Sequence, residues 1–231
     1  MKIVPRLTVP FTRFQKLDDL AWQYGSDKGV FDRTRFRMGH GYTRIYNEVL
    51  KPYRSASVTL VEIGLQRQRT RRNKQLPSLQ MWRKFLPAMR LIGFDIVDHR
   101  SVSLDNVIVL HGDQSSRESL QQIVDASPDG LDVVIDDGSH RSLHHQVSFA
   151  VLFPHMKPSG VYIIEDMFGD NPAESKALFR DCASTGRLAA SSIWSEAEAE
   201  RLSAMIARVA FFDSLKAPDG GEDALAVIYK R

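Results

Sequence analysis

Two short runs hold the residues most able to do chemistry. LDVVIDDGSH (residues 131–140) is an apolar run ending in Asp136, Asp137, Gly138, Ser139 and His140, and VYIIEDM (residues 161–167) repeats the pattern, ending in Glu165 and Asp166. In open α/β sheets ligands sit beyond the carboxyl ends of the strands, where such polar endings serve a ligand better than they serve packing. If the two strands are neighbours, their acids and the imidazole converge; like charges repel strongly at low dielectric, so a hard divalent cation is the natural occupant. The bland alternative is two acidic strand ends held by helix caps and solvent. His140 and His144 are spaced i, i+4, but Arg141 follows His140 and the HExxH pattern is missing, which makes zinc the poorer reading. His144 and His145 read as packing or solvent residues.

The elements that must position these groups follow from the periodicity. VTLVEIGL (residues 58–65) reads as a first strand in which Gly64 lets the chain turn, LIGFDIVD (91–98) as a second ending at Asp95, and VIVLHGDQ (107–114) as a third. An acid about 20 to 30 positions after the first strand's glycine, as Asp95 is at 31 after Gly64, stands where ribose hydroxyls are bound in nucleotide-type folds. Helices are expected over residues 17–24 with Gly25 as C-cap, over 42–50, over 78–85, after Ser115 or Ser116, after His140 up to a stop at Lys157, Pro158 and Gly160, and from Ser195. Leu143, Val147, Phe149, Ala150 and Leu152 are the expected apolar positions of the helix after His140. His40, between Gly39 and Gly41, could contact a ligand from that position but reads more readily as a turn cap before a helix. Strands alternating with helices imply a parallel sheet covered on both faces, and residues 207–215 and 224–231, joined by KAPDGGED, imply an antiparallel pair at the end.

With 231 residues, 43% hydrophobic and 26% charged, the composition is that of a globular α/β chain and excludes disordered and fibrous classes. The division expected is an N-terminal helical arm or lid over residues 1–53, whose first 14 residues have no independent fold, and a main domain over 54–231. The single cysteine, Cys182, forms no intrachain disulfide, and no apolar run is long enough to span a membrane, so a cytoplasmic location is expected. The net charge is +3, and residues 67–74, RQRTRRNK, contribute five Lys or Arg. No aromatic residue is interleaved there for base stacking, so a solvated surface loop is favoured over a nucleic-acid tract.

Taken together, VEIG, the acid ending the second strand, GDQS (112–115), IDDGSH, IIED and the terminal antiparallel pair resemble the class I S-adenosylmethionine-dependent methyltransferases. With YGSDKG (24–29), HGYTRIYNEVL (40–50) and SLQMW (78–82), the resemblance narrows to the sugar O-methyltransferases that tailor macrolides and related glycosides. It spans roughly residues 20–170. It implies a Rossmann-like α/β fold with helices on both faces of a mostly parallel sheet, S-adenosylmethionine and Mg2+ as cofactors, and a glycoside or polysaccharide acceptor. It also implies magnesium ligands Asp137, Glu165 and Asp166, a general base at His140, and cofactor contacts at Glu62, Gly64, Asp95, Asp113, Gln114 and Asp136. A homo-oligomer is implied as well. One departure stands out: where the family has a glycine-rich segment after the first strand, this chain has QRQRTRRNKQLP (66–77).

Magnesium and an imidazole suit this chemistry, because a sugar hydroxyl is too weak an acid to ionise unaided. A catechol-type or other small-molecule O-methyltransferase would need the same metal geometry and a different acceptor pocket. An RNA-directed enzyme is the less favoured alternative, since Asn171-Pro172-Ala173 lacks the proline and aromatic residue expected for amino-group methylation of bases. A binding module without activity would have no use for four polar residues at two strand ends.

Overall fold

The computed structural model describes residues 16–65, 76–215 and 224–231. The first 15 residues of the N-terminal arm, the basic run 67–74 and the KAPDGGED connection lie outside the described residues. In chain order the elements are α1 (Lys16–Tyr24), β1 (Phe31–Asp32), β2 (Arg37–Met38), α2 (Thr43–Val49), β3 (Thr59–Ile63), α3 (Pro77–Phe85), β4 (Arg90–Asp95), β5 (Val107–His111), α4 (Arg117–Asp125), β6 (Leu131–Asp136), α5 (Ser142–Leu152), β7 (Met156–Ile164), α6 (Ala173–Thr185), α7 (Glu196–Met205), β8 (Ile206–Phe212) and β9 (Leu225–Lys230).

Seven strands form one sheet in the order β5-β4-β3-β6-β7-β9-β8. The first five run parallel, and β9 joins antiparallel to both β7 and β8. The mostly parallel sheet with a terminal antiparallel pair is thus as expected. The order reverses between β3 and β6, because β4 and β5 build outward to one side of β3 and β6 to β8 to the other; such a switch point opens a crevice at the carboxyl edge.

Side chains alternate along each strand, so one sequence supplies two cores. Val61, Ile63, Ile92, Phe94, Val134, Tyr162 and Ile164 face Leu120 and Ile123 of α4, Phe149 and Leu152 of α5, Phe179 of α6 and Leu202 of α7. Leu60, Leu91, Val133, Ile135 and Ile163 face Leu17 of α1, Ile45 and Tyr46 of α2, and Leu79, Trp82 and Phe85 of α3. The N-terminal helices therefore share a core with the sheet. Cys182 is buried in the first core, and burial pushes its thiol up to about 11, so it stays un-ionised.

Helix starts follow local chemistry. Ser116 caps α4 by accepting from the Ser119 amide at 3.1 Å, and Ser195 and Glu198 form a reciprocal box at the start of α7; each such cap is worth about 1 kcal/mol. Gly25, at φ +77°, ends α1 as expected, with its amide on the Ala21 carbonyl.

Three details differ from the sequence reading. Lys157, Pro158 and Gly160 lie inside β7, which starts at Met156; the pairing of Leu131 with Met156 and a register shift before Val133 absorb the proline and the left-handed Ser159. Leu143 is exposed, whereas Ser142 before it and the residues from His145 to Ala150 after it are buried. The polar segment before α2 contains the β1–β2 hairpin, whose two-residue strands are too short to show an alternation.

Candidate active site

All five parallel strands end at one cavity of about 690 Å3. Gly64 and Leu65 after β3, Asp95 at the end of β4, Gly112 to Gln114 after β5, Asp137 to His140 after β6, and Glu165 and Asp166 after β7 line it, and Gly25 to Lys28, Thr34, Arg35 and His40 border it from the N-terminal segment. Volume and polarity are those of a small-molecule site.

The backbone approaches closely where the strands end. Gly64 sits at φ +84°, and a Cβ there would fall 2.1 Å from the Asp137 carbonyl oxygen, so only glycine allows the turn after β3 to lie against the DDG turn. Gln114 ties β5 to the same turn: its Nε2 donates to Asp136 Oδ1 at 2.6 Å, and its Oε1 accepts from the Ser139 amide at 3.1 Å. Asp136 itself is fully buried beneath the cavity and also accepts from Ser148 Oγ at 2.5 Å and Tyr162 OH at 3.1 Å. Asp95 accepts from the Leu65 amide at 2.6 Å and the Val97 amide at 2.7 Å, which fixes its carboxylate at the end of β4. Asp113 accepts from the Ser115 amide and hydroxyl, both at 2.8 Å, and these bonds hold its carboxyl below the usual range. Glu62 is fully buried, with Ser78 Oγ donating to Oε2 at 2.7 Å. Of the residues singled out in the sequence, Glu62 and Asp136 thus support the cavity from below, and the others face it.

The acidic edge follows from register. Asp136 pairs with Ile164, so the next residues, Asp137 and Glu165, leave the sheet side by side. Asp137, His140 and Asp166 each offer a ligand atom, and these atoms all lie within 4.8 Å of one another, so small side-chain rotations would bring them to the span of about 4 Å that one cation bridges at oxygen distances of about 2 Å. His140 and Asp166 have left-handed backbones, at φ 57° and φ 53°. For residues with a Cβ this costs about 1–3 kcal/mol each, and such conformations cluster at ligand sites. Glu165 lies outside this group: it accepts from Lys28 Nζ at 2.8 Å and from the Tyr46 hydroxyl.

The N-terminal segment supplies partners that sequence reading missed. Lys28, 1% exposed, donates to Asp137 Oδ2 at 2.5 Å and lies 3.5 Å from Glu62 Oε1. Burial alone would lower its pKa, but Asp137, Glu165 and Glu62 reverse this and hold the ammonium well above its ordinary value. Removing one partner of such a buried pair costs about 3–5 kcal/mol. His40 Nδ1 is 3.0 Å from Asp166 Oδ1, and the Tyr42 hydroxyl donates to the same oxygen at 2.9 Å. Burial would raise Asp166, but the His40 and Tyr42 hydrogen bonds outweigh it and keep the carboxyl below its usual range. His40 is therefore more than a turn cap. The one signal in the sequence was a lysine and a histidine in a glycine-rich polar run, both within motifs that carried the resemblance.

His144 and His145 divide as packing and solvent residues do. His144 Nδ1 is 2.7 Å from Ser139 Oγ at the cavity edge, whereas His145 is fully buried with Nδ1 3.1 Å from Ser175 Oγ. Burial lowers His145 from 6.5 to about 4. The unfolded chain takes up this proton below pH 6.5 and the folded chain only near 4, so stability is lost as pH falls through that window, at up to about 1.4 kcal/mol per pH unit. Urea unfolding at about pH 7 and about pH 5 is expected to show a loss near 2 kcal/mol from this group. His145→Asn removes that component, and an unchanged pH slope in the variant assigns the loss to other groups.

Comparison with known proteins gives the site its context. No family model matches the chain. Over 139 residues it is 37% identical to mycinamicin VI 2''-O-methyltransferase of Micromonospora griseorubida, covering 58% of this chain and 33% of that protein. Over 160 residues it is 37% identical to 8-demethyl-8-alpha-L-rhamnosyl tetracenomycin-C 2'-O-methyltransferase of Streptomyces olivaceus, covering 65% and 37%. Among solved structures, the MycE methyltransferase of the mycinamycin biosynthetic pathway, in complex with Mg, SAH and mycinamycin VI, superposes with a TM-score of 0.72 at 28% identity, over 94% of this chain and 55% of that one. The chain thus spans about a third of the length of these curated relatives and about half of the MycE chain. It has the class I methyltransferase fold and is related to the S-adenosylmethionine-dependent O-methyltransferases that act on the sugars of glycosylated natural products.

Proposed function

We propose that the protein is an S-adenosylmethionine- and magnesium-dependent O-methyltransferase acting on a sugar hydroxyl of a glycosylated small molecule. The observation that carries this reading is the meeting of five strand ends at one cavity where Asp137, His140 and Asp166 stand close enough to share a cation. The related proteins are named for O-methylation of mycinamicin VI and of a rhamnosyl tetracenomycin; nothing favours a polysaccharide acceptor.

The cofactor supplies the methyl group as a sulfonium, and the lining supports a site for it: Gly64 lets the turn after β3 pack on the DDG turn, Asp95 would offer a carboxylate to ribose hydroxyls, and Asp113 and Gln114 would meet the adenine end. Magnesium, when bound, supplies a Lewis acid that makes a hydroxyl easier to ionise. Asp137 and Asp166, with Glu165 beside them, would hold it through hard oxygens. His140 is about a quarter exposed to the cavity and lies 3.8 Å from Asp166, placed to take the hydroxyl proton. In this reading the N-terminal segment serves as a lid, a role supported by Gly25 to Lys28, Thr34, Arg35 and His40 lining the cavity.

Asp95→Ala is expected to weaken S-adenosylhomocysteine binding by about 1.5–3 kcal/mol, the range for hydrogen bonds to a charged group. Unchanged affinity in calorimetry would remove Asp95 from the cofactor site. For the acceptor, competition between a deoxysugar glycoside and a catechol in one reaction separates the two substrate classes; methylation of the catechol alone would favour the catechol-type reading.

A further inference from the structure

We propose that Lys28 is a displaceable counter-cation, seated on Asp137 and Glu165 when no divalent ion is bound and moved onto Glu62 when one is. The inference rests on the magnesium reading above.

Two distances and one loosely satisfied acceptor support it. Lys28 Nζ spends two of its protons on Asp137 Oδ2 at 2.5 Å and Glu165 Oε1 at 2.8 Å, so it occupies oxygens of two of the three acids that would hold the ion. The third carboxylate around it is Glu62, whose Oε1 is 3.5 Å away. That oxygen is buried and meets no strict hydrogen-bond geometry among the described residues, although the Trp82 indole N–H faces it and Lys28 is its nearest cation. A buried carboxylate oxygen satisfied only this loosely can take a closer ammonium, as a second seat requires.

A divalent ion on Asp137 and Glu165 would repel an ammonium seated on the same carboxylates, which loosens Lys28 there and favours its remaining partner, Glu62. Lys28 lines the cavity but is only 1% exposed, so its ammonium is held among the buried acids and does not reach bulk solvent. Rotation about the terminal bonds of its flexible stem brings Nζ from Asp137 and Glu165 to Glu62 Oε1 without moving the backbone. In this arrangement Lys28 keeps the acidic strand ends assembled before the ion arrives and, by competing for the same oxygens, keeps ion binding weak and reversible. Glu62 does the opposite, favouring ion binding by receiving the displaced ammonium. Both are positioning residues.

The two roles predict opposite shifts in one measurement. Magnesium is titrated calorimetrically into the full chain without cofactor or acceptor, and thermal unfolding is followed in chelator and in excess magnesium. Lys28→Met is expected to bind magnesium about tenfold more tightly than wild type, and Glu62→Gln about tenfold more weakly, as charge changes at contact distance in a buried site dictate. Lys28→Met should also melt lower in chelator and regain much of the loss with magnesium, whereas Glu62→Gln should melt in chelator no lower than wild type. Purely structural roles would shift both affinities the same way or leave both unchanged, and either result overturns the inference. If Lys28→Met does not fold even with magnesium, Glu62→Gln decides: an unchanged affinity overturns the inference. Wild-type protein that takes up no magnesium overturns the magnesium reading and this inference with it.

Discussion

Asp137→Ala is expected to abolish methyl transfer at ordinary magnesium concentrations, with part of the activity returning in excess magnesium. The expectation follows from position: Asp137 leaves β6 beside Glu165, shares a cation-sized space with His140 and Asp166, and is the acid that Lys28 contacts most closely. The loss is one of binding, so it should appear as a magnesium requirement raised by one to two orders of magnitude, with the S-adenosylhomocysteine affinity kept. The variant also removes a partner of Lys28, and the folded fraction must be checked by circular dichroism. A well-folded Asp137→Ala protein with the wild-type magnesium requirement would take Asp137 out of the metal site.

His140→Ala should behave differently at the same cavity. As a general base it contributes about 10² to 10⁴ in turnover, and little to the affinity for magnesium or cofactor. The left-handed backbone at His140 is strained for a residue with a side chain, and such strain persists where the structure needs that side chain in place. Full turnover in the variant would make His140 a structural cap of the DDGSH turn, whereas a weakened magnesium affinity with intact turnover at saturating ion would make it a ligand.

How much of this was legible in the sequence depended on the distance between partners along the chain. The strands, their order of polar endings and the glycine at position 64 were readable because alternation and turn chemistry are local, and the register of β6 with β7 then placed Asp137 beside Glu165. Lys28, His40, Tyr42 and Tyr46 were not readable as site residues. Lys28 meets Asp137 and Glu165 across 109 and 137 residues, and nothing in a polar, glycine-rich segment says which strand end it will reach. The argument from charge that called for a cation at the acidic edge was therefore half right, since part of that charge is met by an ammonium the chain carries itself. Glu62 and Asp136 were expected as cofactor contacts from the resemblance; their side chains are buried beneath the cavity, where Ser78 holds the first and Gln114, Ser148 and Tyr162 hold the second. The start of β7 was misread because Lys157-Pro158-Ser159-Gly160 has the chemistry of a helix stop, and only the pairing with Leu131 makes it a strand.

The most direct test is transfer of label from methyl-labelled S-adenosylmethionine to a panel of deoxysugar glycosides, run with magnesium and with a chelator. The expected result is label on a sugar oxygen of at least one glycoside, present with magnesium and absent after chelation. Transfer that persists after thorough chelation, or label appearing only on catechols or RNA offered in parallel, would contradict the glycoside O-methyltransferase assignment.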